Sequence, residues 1–239
     1  SAPRFFVDGP LTPGEEVRLE AGDSRHAAVV LRVQPGAAIV VIANGIAWSA
    51  EVVSVNARVV SARVVTKEES QGSELPAAVS LLQAVPKGDK MEFVVEKAVE
   101  LGARRIVPVE CARSYGGVSA HKLERWRKIA RSAAQQSHRL IVPEVEAPLA
   151  WSAALQRFAE TPLLVAHEAA ERDTLARAAR ATFQHVALAV GPEGSFTDEE
   201  IAQARAAGAH MVSLGPTILR TETAGLALLS AVAALQHWW

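Results

Sequence analysis

Leu214-Gly215-Pro216-Thr217-Ile218-Leu219-Arg220-Thr221-Glu222-Thr223-Ala224 is the stretch that decides the fold, taken together with Gly191-Pro192-Glu193-Gly194 upstream. An apolar run precedes each segment, at 186–190 and 211–214, and a helix-like pattern follows each. Two strand-to-loop junctions of this kind, rich in Gly and Pro and carrying a few polar groups, describe the carboxyl-end crevice of an α/β sheet. That crevice is where such folds take nucleotide-like ligands. A small-molecule site in the C-terminal half is the first expectation.

Outward from these junctions, strands alternate with helices. Strands are predicted over 79–85, 105–109, 163–166, 186–190 and 211–214, and helices over 121–137, 170–181, 198–207 and 221–236. A further helix begins at Asp89, which serves as its cap with Glu92 in the capping-box position. Its apolar stripe is Met91, Val94, Val95, Ala98 and Leu101, and Gly102 ends it. Thr197 and Glu200 form a second capping box, and Thr221 caps the last helix with Glu222 near its positive end. This alternation predicts an α/β domain with a parallel sheet over residues 71–239. Residues 1–70 read differently. Short β-branched runs at 17–19, 38–43, 47–53 and 57–65 are broken by Pro13-Gly14, Pro35-Gly36 and the hairpin signal Asn44-Gly45. They predict a small β-barrel domain, with Asp23 or Ser24 capping a short helix over 26–31. The polar stretch 67–77 is the expected linker.

Nearly half the residues are hydrophobic, at 49%, yet no run reaches a membrane-spanning length. The N-terminus shows no basic-then-apolar leader, and one cysteine, Cys111, gives no disulfide framework within the chain. The cytoplasm is the expected compartment, and no membrane association is expected. Net charge is −1, but it is unevenly spread. Between Arg104 and Arg139 nine Lys/Arg face two acids, a local balance of +7, whereas the chain from Leu140 onward balances at −5. Such a concentrated basic segment suits a polyanionic partner. A solvated helix face formed by Arg125, Arg127, Lys128 and Arg131 accounts for it equally well.

The glycines of Gly191-Pro192-Glu193-Gly194-Ser195 permit positive φ and let a ligand approach the backbone. The segment has neither the Gly-Lys-Ser/Thr of a phosphate-binding loop nor the GxGxxG of a dinucleotide fold. Arg220, beside a helix start, can bind an anion or a uracil carbonyl, or else pair with Glu222 or Glu193. No Ser/His/Asp or Cys/His constellation is present, and Cys111 has no metal-ligand spacing around it, so no metal is expected.

Gly191 to Phe196 and Leu214 to Ala224 closely resemble the paired C-terminal motifs of the SPOUT methyltransferases. Among these they are most similar to the family that methylates N3 of a uridine in the decoding region of 16S ribosomal RNA. Arg4-Phe5-Phe6 resembles that family's N-terminal motif, and His26…Val30-Leu31-Arg32 its first helix. Lys87…Lys90…Glu92, Glu96-Lys97…Glu100-Leu101-Gly102 and Gln136-Ser137-His138-Arg139 match its central blocks. Ser195 departs from it by replacing the second glycine of a Gly-Gly pair, and Gln135 stands where glutamate is common.

The resemblance implies an RNA-binding N-terminal barrel of PUA-like or OB-like type and a SPOUT α/β domain tied in a deep trefoil knot, an exception to the unknotted-chain rule. It implies a homodimer that binds S-adenosylmethionine in the knot and acts on 16S rRNA of the small ribosomal subunit. By motif position the cofactor pocket is formed by Val190, Gly191, Pro192, Glu193 and Gly194, and by Leu214, Gly215, Ile218, Leu219, Thr223 and Ala224. The segment 164–168, with Leu164, His167 and Glu168 named within it, supplies a further wall. Arg220 is the candidate for stabilising charge on the uracil carbonyls, with Glu222 as a second catalytic candidate. Arg4, Arg25, Arg32, Lys87, Lys90, Arg113 and Arg139 are the candidates for the RNA surface. Two alternatives stand beside this reading. One is methylation of a ribose 2′-hydroxyl on the same fold; the other is a non-catalytic RNA-binding or ribosome-assembly protein.

Overall fold

Val60, Ala62 and Val64 are buried while Arg63 and Val65 face outward, the period-two alternation of a strand with one face on a core. They belong to the first of two units in the computed structural model, which describes residues 2–56, 58–69 and 73–239. The first unit holds the chain up to Glu74 together with Ala134–Val142; the second holds Leu75–Ala133 and Pro143–Trp239.

In the first unit, β1 (Arg4–Phe6), β2 (Glu16–Arg18), β3 (Ala38–Ala43), β4 (Ile46–Val55) and β5 (Val60–Lys67) form one sheet in the order β1-β3-β4-β5-β2. Only β1 and β3 are parallel. Asn44 and Gly45, both at positive φ, make the tight turn from β3 to β4. Phe5, Leu19, Ile39, Val41 and Val52 fill the core. Helix α1 (Ala21–Arg25), continued by a π turn at His26–Val30, starts earlier than expected. Neither Asp23 nor Ser24 caps it. Both lie within it and are used elsewhere: buried Ser24 donates to the Leu19 carbonyl and accepts from the Val60 amide, each at 3.0 Å, and Asp23 accepts from Gln135.

The expected domain boundary at residue 70 falls instead after Glu74, and Ala134–Val142 counts with the first unit. The reason is polar. Gln135 donates to both Asp23 carboxylate oxygens at 3.1 Å, where a glutamate would set two like charges together. Arg139, only 2% exposed, grips the Glu74 carboxylate through Nε and Nη2, and the Leu140 amide donates to the same group.

The second unit is a parallel sheet of β6 (Ala78–Ala84), β7 (Arg105–Glu110), β8 (Glu144–Val145), β9 (Leu149–Ala150), β10 (Leu163–Ala166), β11 (His185–Val190) and β12 (His210–Val212). Its order is β12-β10-β11-β6-β7-β8, with β9 also pairing on β7. The central strands are largely apolar because both faces are covered, with Ser80 and Gln83 of β6 as buried polar exceptions. Helices α2 (Lys90–Glu100), α3 (Ala120–Gln136), α4 (Trp151–Arg157), α5 (Thr174–Ala178), α6 (Asp198–Ala206) and α7 (Thr221–Leu235) connect them. The sequence reading missed α4, β8 and β9. It also overextended α5, whose approach is a turn in which Thr174 Oγ1 donates to the Glu171 carbonyl. Asp89 stands at the α2 cap position without a side-chain cap bond, whereas the Thr197–Glu200 capping box is complete.

Helix α7 carries more apolar surface than one seam requires, and its own core consumes most of it. Leu228, Leu229, Val232 and Ala233 are fully buried, while Leu235 is 43% exposed. Gly225 lets this helix lie close on β6: a Cβ there would stand 2.9 Å from Gln83 Oε1 and 3.2 Å from Leu81 Cδ1. Among the described residues no helix is long and apolar enough to cross a membrane.

Candidate active site

Parallel strands put all their carboxyl ends on one edge, so the loops after β6, β7, β10, β11 and β12 emerge together. Three of them wall a cavity of about 440 Å³. Ala166, His167 and Glu168 follow β10; Val190, Gly191, Pro192, Glu193 and Ser195 follow β11; residues 213–219 follow β12. Arg220, Thr221 and Ala224 at the start of α7, and Lys90 at the start of α2, complete the wall.

Backbone geometry explains the loop composition. Gly191 lies so close to Phe196 that a Cβ would meet its amide nitrogen at 3.0 Å. Gly215 has φ +116°, a conformation side chains avoid, and its open side carries no atom within 4 Å. Ser195 adopts φ +61°, the left-handed conformation that glycine would take without strain, in a turn closed by its amide on the Pro192 carbonyl at 2.9 Å. Thr221 is not the α7 cap, since that position belongs to Arg220. Its hydroxyl donates to the Gly191 carbonyl at 2.6 Å and accepts from the buried Gln83 amide at 2.9 Å, joining α7, β6 and the β11 loop.

Of the residues expected around a cofactor, Leu164, Gly194 and Thr223 do not line the cavity. Leu164 is fully buried in β10, the Gly194 carbonyl is turned to Arg113 Nη1 at 2.5 Å, and Thr223 is exposed on α7. Ala166, inside the expected 164–168 wall, lines it, and Ser195, Ser213, Pro216, Thr217, Thr221 and Lys90 do so without having been singled out for it. The signal for most was their contiguity with the motifs. Lys90 had none, because it arrives from a helix start a hundred residues away.

That lysine settles the charges at the site. Lys90 Nζ stands 3.1 Å from Glu193 Oε1 and 3.3 Å from Glu222 Oε2. Its hydrogen bond to Glu193 outweighs desolvation and, with Glu222, raises its pKa. Partial burial opposes the Glu193 charge, but the backbone amides of Glu193 and Lys87 and the Lys90 ammonium hold its carboxyl below the usual range. The partners expected for Arg220 are therefore taken. Among the described residues the Arg220 guanidinium has no hydrogen bond or ion pair, and it lines the cavity. Glu222 does not line the cavity; its carboxylate lies beside the Lys90 ammonium that does.

The expected RNA residues divide. Arg25 and Arg32 are exposed on the first unit, and Lys87 and Arg113 on the second. Arg4 is mostly buried and stands 3.7 Å from Glu68. Arg139 is a correction: enclosed and bound to Glu74, it presents no surface to a phosphate. Arg125 and Arg127 of the basic helix are partly committed, to Glu92 at 2.8 Å and to the Val145 carbonyl at 3.0 Å.

The cavity has the size of a small-molecule site. His167 lines the cavity, and its buried Nδ1 has no hydrogen-bond partner in the protein. No cluster of three His, Cys, Asp or Glu suited to a metal occurs among the described residues. The cavity's size and its lining of backbone groups and a few polar side chains fit S-adenosylmethionine, with its adenine, ribose and amino-acid portions.

Residues 73–233 match a family pattern described as an RNA methyltransferase domain. The ribosomal RNA small subunit methyltransferase E of Mycobacterium tuberculosis is 34% identical, over 98% of this chain and 92% of its own length. That of Bacillus subtilis is 33% identical, over 97% of this chain and 90% of its own. The crystal structure of the Neisseria gonorrhoeae ribosomal RNA small subunit methyltransferase E bound to S-adenosyl methionine is similar at a TM-score of 0.87 and 32% identity, over 100% of this chain and 98% of that one.

Proposed function

We propose, from the premise that this chain belongs to the ribosomal RNA small subunit methyltransferase E family, that it methylates N3 of a uridine in the decoding region of 16S rRNA. The methyl donor is S-adenosylmethionine, held by residues 190–193 and 214–219 with His167 and Glu168. The observation that carries the reading is the cavity at the carboxyl edge of the sheet with the unpaired Arg220 on its wall.

Bound there, the cofactor supplies an electrophilic methyl group on its sulfonium. Neutral uracil N3 is a poor nucleophile, so the protein must favour loss of its proton and align nitrogen, carbon and sulfur. Arg220 meets the negative charge that spreads onto the uracil carbonyls, an oxyanion-type role that needs a cation free of other partners. The Lys90 ammonium is shared between the Glu193 and Glu222 carboxylates, the two acids otherwise available to pair with Arg220.

Family membership supports three finer features: closure of the first unit's five strands into an RNA-binding barrel, a trefoil knot through the 191–197 and 213–220 loops, and a homodimer in the cytoplasm. The half-exposed Leu235 and Trp239 at the end of α7 are available to the dimer. Light scattering tests it, and a monomeric mass at micromolar concentration removes it.

The deciding experiment is methylation of purified small subunits that lack the modification, followed by mapping of the product nucleoside. N3-methyluridine at one decoding-region position supports the reading. A ribose 2′-O-methyl product would assign the other chemistry, and absence of S-adenosylmethionine binding by calorimetry would leave a non-catalytic RNA-binding protein.

A further inference from the structure

Among the described residues, the loop after β7, residues 111–119, contributes nothing to the cavity wall, yet it is fastened to it. Its first turn is closed by the Ser114 amide on the Cys111 carbonyl and the Cys111 amide on Ser114 Oγ, both at 3.0 Å. The Ala112 amide donates to Glu200 Oε1 at 2.7 Å, and Arg113 Nη1 donates to the Gly194 carbonyl of the β11 loop. This rigid base presents Tyr115, the only tyrosine of the chain, with 56% of its surface exposed.

One cation stands over the ring and a second belongs to the same loop. The Lys87 ammonium stands over it, 5.4 Å from its centroid, and Arg113 lies two residues before it. The Lys87 amide is bonded to Glu193 Oε1 at 3.1 Å, and Glu193 is part of the cavity wall. Ring, cations and cavity rim are thus one connected surface of the second unit. An open aromatic face on a rigid loop, with a Lys and an Arg beside it, is the chemistry that holds single-stranded nucleic acid: bases stack on the ring while the cations meet phosphates. Charge favours a polyanion here over an apolar peptide, since neither cation pairs with a carboxylate among the described residues.

We propose that Tyr115, with Lys87 over its ring and Arg113 on the same loop, is a stacking platform for an unpaired nucleobase of the RNA next to the one that enters the cavity. The platform rests on the RNA-methyltransferase reading. It holds the neighbouring nucleotide outside the cavity, a contact made equally in the bound and reacting complexes.

The test compares full-length wild type, Tyr115→Ala and Tyr115→Phe on unmodified small subunits, with calorimetric S-adenosylmethionine affinity measured on the same preparations. Tyr115→Ala is expected to raise KM for the subunits roughly 5- to 100-fold, the range of one lost base stack. Its kcat at saturating subunits and its cofactor affinity should stay at wild-type values, and Tyr115→Phe, which keeps the ring, should keep the wild-type KM. An unchanged KM in Tyr115→Ala, or equal damage from Tyr115→Phe, overturns the platform while leaving the methyltransferase reading intact. A wild-type protein that binds the cofactor but leaves the subunits unmodified overturns the reading, and the platform with it.

Discussion

The hydroxyl of Thr221 donates to the carbonyl of Gly191 at 2.6 Å, tying the first turn of α7 to the loop after β11. The same oxygen accepts from Gln83, a fully buried amide in the middle of the sheet. Thr221→Val keeps the shape but leaves the carbonyl and the amide each short of a partner, at a cost of about 2 kcal/mol. Urea denaturation should show that loss, and calorimetry a weaker S-adenosylmethionine affinity. Thr221→Ser should restore both.

Arg220 and Lys90 share one cavity wall and separate by their partners. Arg220→Ala should leave stability within about 0.5 kcal/mol, as for a surface side chain with no partner, and leave RNA affinity nearly intact. Its single-turnover methylation rate should fall about 100-fold, as for a lost oxyanion-type donor. A normal rate removes Arg220 from the chemistry.

The Lys90–Glu193 pair also makes a pH statement. The lowered Glu193 carboxyl contributes above its ordinary value of 4.5 and loses that contribution as pH falls through its folded value. The raised Lys90 contributes below 10.5 and loses it only as pH rises further. The pair's contribution to stability should therefore be independent of pH across roughly pH 6 to 9, because neither group titrates there. Thermal melts at several pH values check this.

Arg139 was expected on the RNA surface and is enclosed against Glu74 instead. Arg139→Met strands that carboxylate and should cost roughly 3 kcal/mol. RNA affinity per folded molecule, and its salt dependence, should not change. Exposed Arg113→Ala should flatten the log–log salt slope by roughly 0.7 if it meets one single-strand phosphate.

Ser195 occupies a left-handed conformation beside the cavity. Relief of about 1 kcal/mol or more of strain, set against the greater unfolded-state freedom of glycine, makes Ser195→Gly stabilising by roughly 0.5 kcal/mol. Ser195→Val should be clearly destabilising. Denaturant midpoints for the two variants decide the sign.

Cys111 is pushed up to about 12 by burial, aided by the Glu200 charge and opposed by Ser114. Against the ordinary thiol value of 9.0, native-state alkylation near pH 8 should run about a thousandfold slower than for a free thiol. Rapid labelling would show that the β7 loop opens.

Much of the site was legible in the chain because loops at sheet edges are local. The glycines of 191 and 215 are placed by their own turns, and the Thr197–Glu200 box is complete within four residues. Short elements were not legible: β8 and β9 are two residues each, and they are strands only because β7 pairs with them.

What the sequence by itself determined is the succession of strands and helices, the two Gly/Pro junctions and the family they resemble, since periodicity and backbone conformation act over a few residues. Only the tertiary structure decided which side chains meet. Lys90 lies 103 residues from Glu193, Gln83 lies 138 from Thr221, and Arg139 lies 65 from Glu74. Propensity does not specify such partners; chain topology brings them together, and burial then requires each charge and amide to be satisfied. That requirement gave Glu193 to Lys90, Glu74 to Arg139 and Gly191 to Thr221, and left Arg220 free on the cavity wall.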